Sequence, residues 1–454
     1  MDTNSNSFRV VMFPWLAYGH VSPFLELAKK LSTKNFYVYF CSTPITLKPI
    51  KNKISNYKSI ELVEYPLEST PEFPPHLHTT NGLPHHLMPT LQIYFKNASH
   101  NFSQIIKTLS PHLVIYDYLM PSWVPKFASS HQIPAVHFHI FGVANLAYFT
   151  SLVRDIPEFS FQSKTVCLKP SEIMKLAQAP RRNVDAEKNE LSDCIIGSTE
   201  MFLIKSNREI EGKYLDFAAD LFKKKIVPVG PLFQEISVNN QENDEEIFQW
   251  LNKKEEFSTV YVSFGTESYL SKKGMEELAN GLELSKVNFI WVIKFPEGEK
   301  ISAAEALPEG FLERVGVKGM IVERWAPQAK ILGHKSIGGF VSHCGWSSVM
   351  ESASIGVPII ALPMHHDQPV NARLVVEVGF GLEIEKDENV EFWREEVARV
   401  VKEVVIEKSG VELRKKAMEL SEQMKAKGEE EVDLAIKELK TLCENNLGKY
   451  RDIN

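Results

Sequence analysis

The chain has 454 residues, 44% of them hydrophobic, with five cysteines and 51 Lys and Arg against 58 Asp and Glu. That length is too great for one typical core and fits two domains of about 200 residues each. A formal net charge of -7 and a pI near 6.1, with acidic and basic residues interspersed, exclude the basic footprint of a nucleic-acid or anionic-membrane binder and leave small molecules as the expected partners.

Taken in chain order, the apolar run Val10 to Leu16 is short and contains Pro14, so it reads as a strand and not as a signal peptide. Further strands are expected at Tyr37 to Cys41, Ile60 to Tyr65, Leu113 to Tyr116, Ala135 to Phe138 and Cys194 to Ile196. After Val227 to Pro231 comes Ser237 to Glu246, polar, acidic and without apolar periodicity, which reads as a solvated linker. The second half repeats the pattern at Val260 to Phe264, Phe289 to Ile293, Met320 to Val322, Ile337 to Val341, Pro358 to Leu362 and Leu382 to Ile384. Continuous apolar strands separated by helical stripes, such as Met275, Leu278, Ala279 and Leu282, imply parallel sheets covered on both faces. The expected architecture is therefore α/β, two doubly wound Rossmann-like sheets: an N-terminal domain over 1–236, a linker over 237–246, a C-terminal domain over 247–427, and a final amphipathic helix from about 428 to 454. Cys41, Cys167, Cys194, Cys344 and Cys443 are scattered and show no CxxC spacing, which argues against a disulfide framework or a zinc site and for a reducing, cytoplasmic compartment. No apolar segment reaches the roughly 20 residues of a membrane helix, so no stable membrane insertion is expected.

Two polar residues stand where such sheets place their ligands, at strand carboxyl ends. His20 follows the first strand in the turn Gly19-His20-Val21-Ser22-Pro23, where Ser22 suits a helix cap and Pro23 a first helical turn. Asp117 follows Leu113 to Tyr116 and reads either as a partner for His20 or as a cap for the helix starting near Pro121. A histidine with a pKa near 6.5 is suited to take a proton from an alcohol near neutral pH, and a carboxylate on its other nitrogen fixes the tautomer and steadies the imidazolium.

The run Trp325 to Gln368 carries the other half of the chemistry. Trp325 offers an aromatic face to a base, with Gln328 near enough to bond a nucleoside. His343-Cys344-Gly345 turns into a helix opened by Trp346, Ser347 and Ser348, and a helix start binds phosphate. Glu351 falls on the face of Ser347 and Ser348, where a carboxylate can hold two ribose hydroxyls. Asp367 and Gln368 end the run as partners for sugar hydroxyls. Singly, Trp325 or His343 reads equally well as a packing residue in an ordinary βαβ unit.

The ordered pattern of Trp325, Gln328, His343-Cys344-Gly345-Trp346, Ser348, Glu351 and Asp367-Gln368 resembles the signature box of the plant family-1 UDP-dependent glycosyltransferases, and the resemblance covers essentially the whole chain. It departs at Ser347, where most of the family has Asn. The resemblance implies a GT-B arrangement, two domains facing a cleft, and single displacement with inversion from a UDP-α-sugar. His20 is then the base and Asp117 its orienter. Ser263, Gly265, Thr266, Trp325, Ala326, Gln328, His343, Gly345, Trp346, Ser347, Ser348, Glu351, Asp367 and Gln368 would bind the UDP-sugar. Trp15, Gly19, Met120 and Phe141 would line the acceptor site, and the final helix would cross back onto the first domain.

No DxD pair occurs, so no metal or other cofactor is expected. The terminal Gln implies UDP-glucose, with UDP-xylose or UDP-rhamnose as alternatives. Phe13 to His20 and Pro74 to Pro84 resemble the branch that glycosylates the sugar of flavonoid, terpenoid or lignan glycosides, the alternative being direct transfer to an aglycone. A monomer is the expected state. Three rival classes are weighed against this. A nicotinamide-dependent oxidoreductase would need a GxGxxG after a strand, which is missing. A non-catalytic UDP-sugar-binding protein would not need His20 with Asp117, and an epimerase would need no acceptor alcohol.

Overall fold

Thirteen strands form two wholly parallel sheets among the residues described by a computed structural model of the chain, which are 7–153, 163–178, 197–232, 242–265, 268–295, 301–387, 389 and 391–451. The first sheet comprises β1 (Phe8–Phe13), β2 (Phe36–Ser42), β3 (Ile60–Glu64), β4 (Leu113–Asp117), β5 (Ala135–His139), β6 (Met201–Ile204) and β7 (Lys225–Pro228), in the order β3-β2-β1-β4-β5-β6-β7. The second comprises β8 (Thr259–Ser263), β9 (Asn288–Val292), β10 (Gly319–Val322), β11 (Ile337–Ser342), β12 (Ile359–Ala361) and β13 (Gly381–Glu383), in the order β10-β9-β8-β11-β12-β13.

Alternation along each central strand explains why both faces must be covered. Side chains of Val10 and Met12 enter one core, with Phe24, Leu27 and Leu31 of the helix Tyr18–Ser32. Val11 and Phe13 enter the opposite one, an aromatic cluster with Tyr65, Phe95 and Phe102. All four strand residues are fully buried, so a charge at any of them would have no solvent to reach. Tyr261 and Phe340 likewise face one layer of the second sheet while Val260, Val262 and Val341 face the other.

The chain divides into two compact units, one of Met1–Val143, Arg182–Gln234 and Gly428–Asn454, the other of Ala144–Arg181 and Glu235–Lys427. The C-terminal helix Lys408–Arg451 supplies Val432, Ala435, Ile436 and Leu439 to the first unit's core, an i, i+3, i+4, i+7 stripe. The segment 144–181, read from sequence as part of the first domain, groups with the second unit. There Glu172 accepts from Arg373 at 2.7 Å, both side chains nearly buried. Within the expected linker, residues from Glu242 onward form the helix Glu242–Leu251. The strand expected at Cys194 to Ile196 lies outside the described residues, while β6 at Met201–Ile204 was not read from the sequence.

Candidate active site

Each sheet reverses its strand order once, the first between β1 and β4 and the second between β8 and β11. In open α/β sheets the crevice beyond the carboxyl ends at such a reversal is where ligands bind, because the flanking loops diverge to opposite faces. His20 and Asp117 stand at the first reversal, Ser263, Gly265 and the turn His343–Gly345 at the second; Trp325 follows β10 and Asp367 follows β12, at the carboxyl ends of other strands of the second sheet.

In the first unit β1 runs through Pro14–Ala17 into the helix Tyr18–Ser32, with Ala17 as N-cap in an extended conformation. The helix thus starts four residues before Ser22, the expected cap, and Pro23 lies inside it rather than at its first position. His20 is consequently in the first turn, its N–H bonded to the Ala17 carbonyl at 3.0 Å. Its Nδ1 lies 2.8 Å from Asp117 Oδ2. Asp117, fully buried, ends β4 and accepts two further N–H groups, from Trp15 at Oδ2 (3.0 Å) and from Tyr118 at Oδ1 (2.7 Å). Its alternative reading as a helix cap is ruled out, since the helix Trp123–Ser130 is preceded by Ser122. A carboxylate held by backbone donors can only accept, so the His20 proton sits on Nδ1 and the Nε2 lone pair is left for a substrate proton. Tyr118 stacks on the His20 ring at 5.8 Å, and Phe141 meets it edge-on at 5.6 Å.

Four residues were expected to line an acceptor site. Phe141 touches His20, and a Cβ placed on Gly19 would meet nothing within 4 Å. Trp15 and Met120 are 4% and 2% exposed and pack in the aromatic core, Trp15 against Phe95 at 5.1 Å. Sequence reasoning missed Tyr118 and His139. His139 is buried against Tyr118 and Phe141, and burial pushes its pKa down to about 4 despite the nearby Asp117 carboxylate.

In the second unit Trp325 follows β10 and is 64% exposed, an indole presented to solvent instead of to the core; Ala326 beside it is buried. Gln328 opens the helix Gln328–Leu332, and its Nε2 donates to Glu351 Oε2 at 2.7 Å and to Ser348 Oγ at 3.3 Å. The helix Trp346–Ile355, which carries Ser347, Ser348 and Glu351, starts at Gly345 with no side-chain cap. The strands before this helix and before the loop at Gly265 end side by side, since Ser342 and Ser263 are register partners. His343 is packed between two glycines. A Cβ on Gly345 would lie 2.5 Å from its Nε2, and one on Gly265, whose φ is +76°, would lie 3.1 Å from its Cε1. Burial pushes the His343 pKa down to about 4, so it enters the site as a neutral imidazole. Thr266 lies outside the described residues.

Asp367 precedes the helix Gln368–Val378, and burial raises its carboxyl above the usual range while an N–H from Asn371 opposes this. Gln368 is 5% exposed. Its Oε1 accepts the N–H groups of Met364 (2.9 Å) and His365 (3.1 Å), while Nε2 makes two longer contacts, 3.4 Å to Ser268 Oγ and 3.4 Å to His365 Nδ1, and is the more weakly held end. The carbonyl end is held by the turn.

An exposed indole after β10, an uncapped helix start after β11 whose helix carries a carboxylate bonded to Gln328, and an Asp-Gln pair after β12 thus follow one another along the carboxyl ends of the second sheet. Two family models match this chain: UDP-glucoronosyl and UDP-glucosyl transferase over residues 211–439, and Glycosyltransferase, N-terminal domain over residues 6–234. The chain belongs to the UDP-glycosyltransferase family. It is 48% identical to UDP-glucosyltransferase 29 of Panax ginseng, with 98% of each chain covered. It is 50% identical to beta-D-glucosyl crocetin beta-1,6-glucosyltransferase of Gardenia jasminoides, covering 93% of this chain and 96% of that one. Among solved structures, a Glycyrrhiza uralensis glycosyltransferase complexed with glycyrrhetinic acid 3-O-monoglucuronide superposes with a TM-score of 0.84 at 23% identity, 98% of each chain being covered. This UDP-glycosyltransferase therefore has the GT-B fold, two parallel-sheet α/β domains. Among its described residues no helix is long and apolar enough to cross a membrane.

Proposed function

We propose that the enzyme transfers glucose from UDP-glucose to a hydroxyl on the sugar of a small-molecule glycoside, with inversion. The observation that carries this reading is the His20–Asp117 pair, whose imidazole has Nδ1 fixed and Nε2 unassigned at a sheet reversal. His20 Nε2 takes the proton of the acceptor hydroxyl as its oxygen bonds to the anomeric carbon. The bond from that carbon to the UDP oxygen breaks from the opposite side, and Asp117 steadies the resulting imidazolium. Trp325 stacks on uracil, Glu351 with Gln328 holds the ribose, and the helix start at Trp346, with His343 and Gly265, meets the diphosphate. Asp367 and Gln368 Nε2 meet the sugar. Diphosphate charge is met by fixed dipoles, so turnover is expected without a metal, in a cytoplasmic monomer.

A glycoside acceptor is supported by the name of the Gardenia relative, which acts on a glucosyl crocetin. The test is incubation with UDP-glucose and paired flavonoid or triterpenoid monoglucosides and aglycones. The reading expects a β-linked second sugar on the monoglucosides and little reaction of the aglycones. Faster reaction of the aglycones would overturn it, as would His20→Ala retaining more than a tenth of wild-type turnover while binding UDP normally.

A further inference from the structure

The diphosphate-binding turn and the sugar-binding carboxylate belong to different elements. His343–Gly345 follows β11, whereas Asp367 closes the loop after β12. One side chain bonds to both. Asn371 is 1% exposed and lies one helical turn beyond Asp367, so its amide reaches back over the start of the helix Gln368–Val378. Its Nδ2 donates to Asp367 Oδ2 at 2.6 Å and to the Cys344 carbonyl at 3.0 Å. An amide nitrogen carries two hydrogens, so both bonds form together and the donor is fully used.

We propose that Asn371 is a positioning residue for glycosyl transfer, a two-hydrogen clip that fixes the Asp367 carboxylate relative to the turn receiving the diphosphate. The proposal rests on the reading that Asp367 meets the donor sugar. The turn itself shows why a clip is needed. Cys344 has φ +62°, a left-handed conformation that non-glycine residues seldom adopt and that persists only where surrounding bonds impose it. Cys344 is held from both sides, its N–H by Ser342 Oγ at 3.1 Å and its carbonyl by Asn371. The neighbouring Gly345 is packed against His343, so a shift of this peptide moves the imidazole as well. Simpler side chains do not replace it: aspartate would set a second carboxylate against Asp367, serine would have one hydrogen for two acceptors, and alanine would leave a half-buried carboxylate and the buried Cys344 carbonyl short of a partner.

The experiment compares wild type, Asn371→Ala, Asp367→Asn and the double variant, measuring UDP affinity by calorimetry and kcat/KM for UDP-glucose. Asn371→Ala is expected to bind UDP within about fivefold of wild type and to lose about 10- to 100-fold in kcat/KM. Acting through Asp367, it should cost less than about threefold further in the Asp367→Asn background. Losses that multiply in the double variant overturn the proposal, as does wild-type kcat/KM in Asn371→Ala beside an impaired Asp367→Asn. Wild-type kcat/KM in Asp367→Asn removes the donor reading too, which distinguishes the two failures. If Asn371→Ala does not bind UDP, Asn371→Ser is held to the same criteria.

Discussion

Replacing Asp117 by Asn conserves shape and removes one charge, and the structure fixes what the amide can then do. With Nδ2 in place of Oδ2, the side chain faces the Trp15 N–H, formerly bonded at 3.0 Å, and can only donate to His20 Nδ1, which moves the imidazole proton to Nε2 and blocks the base. With Nδ2 in place of Oδ1, the tautomer survives but the Tyr118 N–H, formerly bonded at 2.7 Å, is confronted by another donor. Either orientation orphans one backbone N–H at about 1–3 kcal/mol, so neither is strongly preferred and part of the population is inactive at the outset. The active part has lost the charge-assisted bond to the imidazolium, worth about 1.5–3 kcal/mol. Together these raise the barrier by roughly 2–3.5 kcal/mol, a loss of about 30- to 400-fold in kcat. Initial rates at saturating UDP-glucose and acceptor measure it, and calorimetry with UDP is the control, since the nucleotide residues belong to the other unit. In a His20→Ala background the same change should cost little, because the two residues act as one device. A kcat within tenfold of wild type for Asp117→Asn would refute the orienter role.

Trp325→Ala is expected to weaken UDP and UDP-glucose by the same factor, about 1–3 kcal/mol if the exposed indole stacks on the base, and unchanged UDP affinity would return Trp325 to an incidental surface role. Gln368→His should lower the ratio of kcat/KM for UDP-glucose over UDP-galactose; a ratio near one in wild type, or one that does not fall, would remove Gln368 from donor reading. Stability should decline as pH falls from 6.5 toward 4. His139 and His343 have folded pKa values of about 4 against 6.5 unfolded, so only the unfolded chain gains protons in that window. Each buried imidazole contributes up to roughly 3 kcal/mol at neutral pH, all lost below the folded value. Urea unfolding at pH 7.5 and 5 measures the slope, and His139→Gln should flatten it; an equal slope in that variant sinks the assignment.

Much of this was legible because the signals are local. Strands such as Leu113–Asp117 are short apolar runs buried on both faces, and Trp325 to Gln368 keeps its order along the chain. What escaped depends on tertiary packing. The helix after β1 begins at Tyr18 because the backbone of Ala17 is extended, not because a polar side chain caps it, so the nearest capping residue, Ser22, misled. The place of Trp15 and Met120 after strand ends is visible in the sequence, but their packing in the aromatic cluster is not. Asn371 stands at i+4 from Asp367, a spacing visible in the sequence, but its second acceptor comes from another strand and only the fold reveals it. Tyr118 and His139 gave no sign, since neighbours across strands are not neighbours in sequence.

The split of the first unit across both ends of the chain limits how this enzyme can be recombined with its relatives. A hybrid joined once, near residues 235–241, would pair one parent's N-terminal sheet with the other parent's Val432, Ala435, Ile436 and Leu439, setting a foreign surface into that sheet's core. Exchange of donor specificity between parents therefore calls for two crossovers, the second close to Gly428, so that the tail travels with the sheet it covers. By the same reasoning, a truncation that removes the last turns strips buried leucines from the half of the protein that holds His20, at the opposite end of the sequence.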